Sequence, residues 1–179
     1  MSPGQTGQEA SMADTAATFD TREYRRALGT FPTGVAVVTT RAPSGAFVGL
    51  TINSFSSLSL EPPLVLWALN TGSPSLAAFD RAQHFAVNIL AEDQVELSRR
   101  FASPVANKFS HLEVHAGIEG VPLIAGCAAR LECRAAARHN GGDHILFIGH
   151  VERFGYDAQK RPLVFFAGKY LTAGSDITS

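Results

Sequence analysis

The chain has 179 residues, of which 45% are hydrophobic and 17% are charged. This length suits a single domain and is sufficient to bury a substantial core. The 15 basic and 16 acidic residues give a formal net charge of -1, and no run of Lys or Arg forms a basic stripe, so we expect no nucleic-acid partner.

Residues 1–18 are rich in Ser, Thr, Ala, Gly and Gln without periodicity, which predicts a flexible N-terminal tail. They lack the basic and apolar regions of a signal peptide, and the chain nowhere approaches about 18 consecutive apolar residues. We therefore expect a soluble, cytoplasmic protein with no membrane partner. The domain itself is predicted over 19–171, followed by a short C-terminal tail at 172–179.

A short helix is predicted at the start of the domain. Asp20 and Glu23 have the spacing of a capping box, and apolar residues at helical spacing continue to Gly29. Residues 34–42 and 46–52 are rich in β-branched and apolar side chains and flank a Pro-Ser-Gly turn. These two segments predict a β-hairpin.

Strands and helices alternate in the middle of the chain. Residues 64–69 predict a strand that is apolar on both faces, and residues 84–90 predict another. Between them, Ser73 and Pro74 mark the start of a predicted helix, because Pro is tolerated at the first helical position. A further helix is predicted in 91–102, with acidic residues in its first turn and two arginines in its last, as the helix dipole favours.

The clearest alternation of apolar and charged residues lies in 127–138 and predicts a half-buried strand. Gly141 and Gly142 supply the positive φ angles of a tight turn, and 143–154 returns as the partner strand. Short strands, frequent turn signals and two or three short helices indicate a mainly β fold, a β-barrel with helical decoration.

The chain has none of the common catalytic motifs: no GxGxxG after a strand, no phosphate-binding GxxxxGK[ST] loop, no GxSxG and no CxxC. Cys127 and Cys133 would lie roughly 20 Å apart on one strand. They are too distant for a disulfide, so two buried, reduced thiols are expected. His111 and His115 have helical metal-ligand spacing, but the neighbouring Gly and Pro residues predict a loop, and we expect no metal site.

A polar stretch lies directly before the strand at 64–69. Its small hydrogen-bonding side chains are Thr51, Asn53, Ser54, Ser56, Ser57 and Ser59. Such groups, with close backbone approach at Gly49, suit the polar edge of a flat heteroaromatic ring or a phosphate. The alternative is a solvated turn whose hydroxyls bond their own backbone. The residues alone leave both interpretations open.

Several segments resemble, in order and spacing, the flavin reductase-like family, the small reductase components of two-component flavin-dependent monooxygenases. They are FPTGVAVVTT, GLTINSFSSLSLEPPLVLWAL, HFAVNIL, LSRRFA, KF, GDHILFIGHVE and PLVFFAGKY, within residues 19–171. The resemblance implies an FMN-binding split β-barrel that forms a homodimer, in agreement with the predicted barrel. It also implies NAD(P)H:flavin oxidoreduction, with FMN or FAD bound, NADH or NADPH as hydride donor, and reduced flavin passed to a separate monooxygenase.

The resemblance assigns site residues as well. It places the flavin ring against Gly49, Leu50, Thr51, Asn53 and Ser54. It places the flavin phosphate near Asn70, Ser73, Pro74 and Ser75, with Arg100 as the cation and Phe101 packed against the cofactor. It implies that His144 helps to position the nicotinamide, in a pocket closed by Phe165, Phe166, Gly168 and Tyr170. A surface charge for Arg100 and core packing for the two phenylalanines are the alternatives.

The implied mechanism needs little acid–base chemistry from the protein. Hydride passes from C4 of the nicotinamide to N5 of the flavin when the rings stack, so the protein contributes positioning, and we name no proton-transfer residue. Two other functions fit the same fold: a split-barrel flavoprotein that holds its flavin tightly and acts on another organic substrate, or a non-catalytic flavin-binding module.

Overall fold

The computed structural model describes residues 19–174, and both the predicted tail at 1–18 and residues 175–179 lie outside this range. The elements are α1 (Thr21–Leu28), β1 (Thr33–Gly34), β2 (Ala36–Arg41), β3 (Phe47–Ile52), β4 (Ser56–Leu60), β5 (Pro63–Asn70), α2 (Leu76–Arg81), β6 (His84–Ile89), α3 (Val95–Ala102), β7 (Val114–Ala116), a 3₁₀ turn (Ile118–Gly120), β8 (Pro122–Ile124), β9 (Ala129–Gly141), β10 (His144–Tyr156), β11 (Leu163–Phe166) and β12 (Lys169–Thr172). Among the described residues, no helix is long and apolar enough to cross a bilayer.

The first helix forms as its cap predicts. The Asp20 carboxylate accepts hydrogen bonds from the N–H groups of Arg22 at 2.8 Å and Glu23 at 3.3 Å, and the helix ends before Gly29. The capping box is incomplete, however, because the Glu23 side chain pairs with Arg26 at 2.6 Å. No residue of this helix is buried: Tyr24 meets the ring of Phe19 with centroids 5.0 Å apart, and Leu28 stays more than half exposed.

The other two helices begin later than predicted. The segment before α2 forms a turn in which the Leu76 N–H donates to the Ser73 carbonyl at 3.0 Å, so Pro74 lies outside the helix. The segment before α3 is held by Gln94, whose side-chain oxygen accepts from the Ala91 N–H at 3.0 Å. As a result, Glu96 is the acidic residue of the first turn of α3.

Seven antiparallel strands form the main sheet, in the order β3-β2-β6-β9-β10-β5-β4. The sheet is strongly curved. Ser54, two residues beyond the edge strand β3, contacts Ala68 in β5, which lies next to the opposite edge of the sheet. Its hydroxyl donates to the Ala68 carbonyl at 3.1 Å and accepts from the Ala68 N–H at 3.0 Å. The mainly β fold is confirmed, and the edges at β3 and β4 leave it a split barrel.

Aromatic side chains fill the interior of the curved sheet. Trp67 is fully buried, stacks on Phe147 with ring centroids 4.6 Å apart, and meets Phe85 edge to face at 5.8 Å. A Cβ on Gly149 would lie 2.5 Å from Cζ of Phe85. Core packing therefore requires a glycine at position 149, the second glycine of the segment GDHILFIGHVE.

The long β9–β10 hairpin is confirmed, with one change at its turn. Gly142 has a φ of +69°, whereas Gly141 still belongs to β9. The sequence pattern did not predict the β7–β8 and β11–β12 pairs. The latter turns tightly at Ala167 and Gly168, both with positive φ.

Candidate functional site

A groove of about 760 Å³ lies between the free edge of β3, the turn before α2, and the segment that follows α3. Its lining comprises Ala46, Phe47, Val48, Gly49, Leu50, Thr51, Ser73, Pro74, Ser75, Ala78, Phe101, Ala102, Ser103, Pro104, Val105, Asn107, Lys108, Phe109 and Ser110. This size is typical of a site for a small organic ligand or cofactor. Three segments distant in sequence thus form one site.

The edge of β3 offers backbone hydrogen-bonding groups to the groove. The Ala42 N–H donates to the Ala46 carbonyl at 2.8 Å, which sets the alternation of bonded pairs along the β2–β3 ladder. By this alternation Leu50 bonds β2, whereas the N–H and C=O groups of Gly49 and Thr51 point to the free edge. Leu50 lines the groove too, but its backbone groups are engaged with β2.

Aromatic rings form one wall of the groove and explain the glycine in β3. A Cβ on Gly49 would lie 2.7 Å from Cε1 of Phe101 and 3.1 Å from Cζ of Phe109. The two rings meet edge to face at 5.0 Å, and Phe101 is almost fully buried. The space beside Gly49 is thus filled by these rings, while its backbone groups remain at the edge.

The turn before α2 supplies hydroxyl groups. Ser73 and Ser75 both line the groove, and the Ser73 hydroxyl accepts from the Ser75 N–H at 3.3 Å. Asn70, predicted to join them, lies outside the groove. Its side-chain oxygen accepts from the Gly72 N–H at 2.8 Å and so holds the turn.

Two further predicted flavin contacts lie elsewhere. The Ser54 hydroxyl is engaged with Ala68, as described above, and does not line the groove. Arg100 is exposed, lies outside the lining, and donates to the Ser110 carbonyl at 3.1 Å. The sequence predicted the polar stretch that contains Ser54 and the helix that contains Arg100, but the direction of a side chain depends on contacts distant in sequence.

Lys108 lines the groove, although the sequence analysis assigned it no role beyond its place in the KF segment. Its Nζ donates to the Phe101 carbonyl at 2.8 Å. Burial lowers the pKa of this ammonium group below its ordinary value. A lone charge in the otherwise neutral segment 101–110 was the signal that could have identified it.

A second cavity of about 350 Å³ lies beyond the C-terminal end of β3. Its lining comprises Arg25, Leu28, Gly29, Phe31, Thr33, Asn53, Phe165, Ala167 and Gly168. The Thr33 hydroxyl is buried without a hydrogen-bond partner among the described residues. Asn53, predicted as a flavin contact, lies here with two predicted nicotinamide residues, Phe165 and Gly168.

A chain of hydrogen bonds and an aromatic contact joins the two cavities. Thr51 in the groove donates to the Ser98 carbonyl at 2.7 Å, and the buried Ser98 hydroxyl lies 2.9 Å from the Tyr170 hydroxyl. The Tyr170 ring meets Phe165 at 5.4 Å, and Phe165 lines the second cavity. Tyr170 itself lines neither cavity, and neither does Phe166.

His144 lies at the start of β10, opposite Asn70 of β5, and lines neither cavity. Its Nδ1 is 2.7 Å from Oδ1 of Asp143, an arrangement that favours a proton on Nδ1. The hydrogen bond and the positive charge of His144 lower the pKa of the Asp143 carboxyl, with a smaller contribution from Arg25 of the second cavity.

The remaining candidate groups lie away from both cavities. Within residues 19–174, no three His, Cys, Asp or Glu side chains come together in a way that would hold a metal ion. Both cysteines are free and buried, as predicted. Burial raises the pKa of Cys127 to about 11 and that of Cys133 to about 12.

Comparison with known sequences gives a consistent family. The model of the family described as flavin reductase like domain matches residues 28–174. "FMN reductase (NADH) SmoA" of Agrobacterium fabrum is 45% identical over 151 residues, which cover 84% of this chain and 85% of that protein. The monooxygenase reductase subunit HsaB of Rhodococcus jostii is 39% identical over 173 residues, which cover 97% of this chain and 87% of that protein.

Comparison with solved structures agrees. The NADH:FAD oxidoreductase SgcE6 of Streptomyces globisporus, solved in complex with NAD and FAD fragments, superposes with a TM-score of 0.84 at 35% identity. The match covers 89% of this chain and 96% of that chain. The shared fold therefore extends over nearly all of the described residues.

Proposed function

Because this chain belongs to the flavin reductase-like domain family, we propose that it is an NAD(P)H:flavin oxidoreductase that supplies reduced flavin to a separate flavin-dependent monooxygenase. NAD(P)H, oxidised flavin and one proton become NAD(P)⁺ and reduced flavin. The observation that carries the proposal is the groove along β3, where polar edge groups and an apolar aromatic wall meet. Named reductases that match over most of their length support it.

The groove fits FMN or FAD. In this proposal, backbone groups of Gly49 and Thr51 meet the polar edge of the flavin ring. Leu50 offers the ring an apolar surface, and the hydroxyls of Ser73 and Ser75, with Pro74 between them, lie beside the phosphate. Phe101, predicted to pack against the cofactor, is only 1% exposed and instead supports the wall of the groove beside Gly49. A bound flavin supplies the two-electron acceptor, so the protein's task is to bind it and expose one face.

We assign the nicotinamide to the second cavity. The Thr33 hydroxyl, which has no partner within residues 19–174, and the side-chain amide of Asn53 suit a carboxamide, and Phe165 offers an apolar surface. Thr51 lines the groove and Asn53 lines the second cavity, and the two residues are only two positions apart. Ligands bound in the two cavities would therefore meet near the end of β3. In this proposal His144 orients the nicotinamide.

The proposal includes a homodimer located in the cytoplasm. Val65 and Trp67 of β5 face the core, so Leu66 and its cross-strand partner Ile148 lie on the outer face of the sheet, half-buried and apolar. In this proposal a second copy of the chain covers this face. Helix α1 has no buried residue, so it also offers surface to a second copy. The free, buried thiols are in keeping with a reducing compartment. Sedimentation equilibrium would measure the assembly directly.

Nicotinamide oxidation by the purified protein tests the proposed activity. FMN, FAD and riboflavin are each combined with NADH or NADPH under air. We expect turnover that depends on added flavin, and the six combinations rank both substrates. Absence of turnover with every pair, from folded protein that binds flavin, would contradict the proposal.

The same preparation distinguishes the alternative functions. A protein that retains flavin through purification and oxidises NADH slowly would be a flavoprotein acting on another organic substrate, or a binding module. Weak flavin binding with rapid turnover is the result expected of a reductase that treats flavin as a substrate.

A further inference from the structure

We propose that Arg138 is a positioning residue for flavin binding, which acts by fixing helix α2 at the wall of the groove. The inference rests on the flavin-binding part of the proposed function, because it concerns how the same groove keeps its shape. Arg138 lines neither cavity and lies on β9, the middle strand of the main sheet. Any effect on flavin must therefore pass through the residues that Arg138 contacts.

A β-bulge turns the Arg138 side chain toward the interior. Ala135 pairs with Gly149, a position that faces the core, and the register then shifts so that Ala136 is the extra residue of β9. Arg138 consequently pairs with Phe147, which is 1% exposed and also faces the core. Without the bulge, strict alternation from Ala135 would place Arg138 on the outer face of the sheet.

The inward guanidinium binds the C-terminal end of α2. Nη2 of Arg138 donates to the carbonyl of Ala82 at 2.8 Å and to the carbonyl of Phe79 at 3.1 Å. Carbonyl groups at the end of a helix lack most of their helical donors, and a positive charge complements them. The guanidinium also lies 5.6 Å from the ring centroid of Phe147, at cation–π distance. Arg138 thus joins α2 to the centre of the sheet.

Helix α2 depends on tertiary contacts for its position. It has six residues, and its N-cap residue, Ser75, makes no side-chain capping bond. A helix of this length is not stable by itself in water. Phe79 is the buried residue of α2 and meets the ring of Trp67 edge to face at 5.1 Å. Phe79 therefore holds one side of the helix in the core, and Arg138 holds its backbone.

The backbone that Arg138 fixes is continuous with the wall of the groove. Ala78 lines the groove and directly precedes Phe79, whose carbonyl accepts from Arg138. The turn before α2 lines the groove through Ser73, and the Leu76 N–H bond to the Ser73 carbonyl ties this turn to the helix. A binding site needs its contact groups held within about 0.5 Å. We therefore expect a loss of the Arg138 contacts to weaken flavin binding.

Asp80 is a weaker partner of Arg138 than the two carbonyls are. Its Oδ1 lies 3.6 Å from Nε of Arg138, beyond hydrogen-bond distance, and its side chain is 65% exposed. Nε of Arg138 has no hydrogen-bond partner within residues 19–174. Ion pairs with an exposed partner contribute little, so the carbonyl bonds are the contacts that hold α2.

FMN titration and steady-state kinetics test the inference, with each variant measured at a temperature at which thermal denaturation shows it folded. We expect Arg138→Gln to raise the Kd and the KM for FMN about 5- to 10-fold. The KM for NADH and the kcat at saturating FMN should change less than about 2-fold, because the second cavity does not involve α2. A residue that contributed only to stability would leave all these constants unchanged in the folded variant.

Three further variants separate the contacts of Arg138. Arg138→Lys keeps the charge but has no planar guanidinium to bond both carbonyls, so it should give a smaller loss of FMN affinity. Asp80→Asn removes the ion pair and leaves the carbonyl bonds. Arg153→Gln is the matched control for charge: this arginine of β10 donates to Glu132 at 2.9 Å, away from α2. Asp80→Asn and Arg153→Gln should leave the FMN affinity nearly unchanged.

Several results would overturn the role of Arg138. One is an unchanged FMN affinity in folded Arg138→Gln, and another is an equal rise of the KM values for FMN and NADH. An equal loss of FMN affinity in Asp80→Asn would assign the effect to the ion pair instead. If Arg138→Gln does not fold, Arg138→Lys decides the question: weakened FMN binding supports the inference, and the affinity of the unmodified protein contradicts it.

The outcome for the proposed function is separate. An unmodified protein that binds FMN but shows no flavin-dependent turnover would overturn the proposed activity, and the Kd values of the variants would still decide the role of Arg138. An unmodified protein that binds no flavin would overturn both.

Discussion

Cε1 of Phe101 lies 2.7 Å from the position that a Cβ on Gly49 would occupy. Because Gly49 has no Cβ, the Phe101 ring of α3 packs closely against the edge strand of the sheet. We expect Gly49→Ala to lower the free energy of unfolding by about 1–3 kcal/mol, because the buried ring cannot retreat without cost. Flavin affinity should fall as well.

Thermal denaturation and flavin titration measure the two effects. Gly155→Ala is the matched control, since a Cβ there meets no atom within 4 Å and the residue also lies in a strand. Equal stability of the two variants would contradict the close packing of Gly49 against Phe101.

Tyr170 donates to or accepts from the buried hydroxyl of Ser98 at 2.9 Å. We expect Tyr170→Phe to lower the free energy of unfolding by about 1 kcal/mol, because this hydrogen bond is lost inside the protein. Urea denaturation measures the change, and the KM for NADH should stay nearly constant. Tyr156→Phe, at a position 74% exposed, is the control and should be neutral. A raised KM without loss of stability would instead favour the nicotinamide contact implied by the resemblance.

Thr33 carries a buried hydroxyl without a protein partner in the described chain. We expect Thr33→Val to raise the KM for NADH about 5-fold, the effect of one lost hydrogen bond, while protein stability stays equal or increases. Steady-state kinetics and thermal denaturation provide the two measurements. Thr40→Val is the matched control. The Thr40 hydroxyl donates to the His84 carbonyl at 2.8 Å, so that variant should lose stability with an unchanged KM. An unchanged KM together with a loss of stability in Thr33→Val would show that Thr33 does not belong to the nicotinamide site.

His144 is expected to orient the nicotinamide and to transfer no proton. His144→Ala should therefore lower kcat/KM for NADH about 10-fold without abolishing turnover, equivalent to about 1.4 kcal/mol. Asp143→Asn, which removes the carboxylate 2.7 Å from Nδ1, should give a smaller loss. Full-rate turnover of His144→Ala with an unchanged KM would remove this residue from the site. His139→Ala, an exposed histidine on β9, serves as the control.

The two thiols are expected to be unreactive in the folded protein. Burial raises the pKa of Cys127 to about 11 and that of Cys133 to about 12, so both stay protonated at neutral pH. Their contribution to stability is present below their ordinary pKa of 9.0 and is lost as the pH rises toward these values. Thiol titration with and without denaturant checks this: rapid labelling of native protein at neutral pH would contradict it.

Local sequence was sufficient for most secondary structure. The Asp20 cap, the β2–β3 hairpin and the long β9–β10 hairpin were predicted because their signals lie within a few residues of one another. The resemblance, carried by segments such as GDHILFIGHVE, was confirmed by the family match over residues 28–174. Pairs such as β11–β12 were not predicted, because their short strands have no distinctive alternation of polar and apolar residues.

By itself, then, the sequence determined the mainly β class, the family and the segment that borders the site. The tertiary structure decided which side chains reach the groove. Ser54 bonds Ala68 across the curved sheet, Arg100 turns to Ser110, and Lys108 enters the groove beside Phe101. The reason is physical: hydrogen bonds within an element depend on neighbouring residues, whereas the direction of a long polar side chain depends on acceptors supplied by distant parts of the chain.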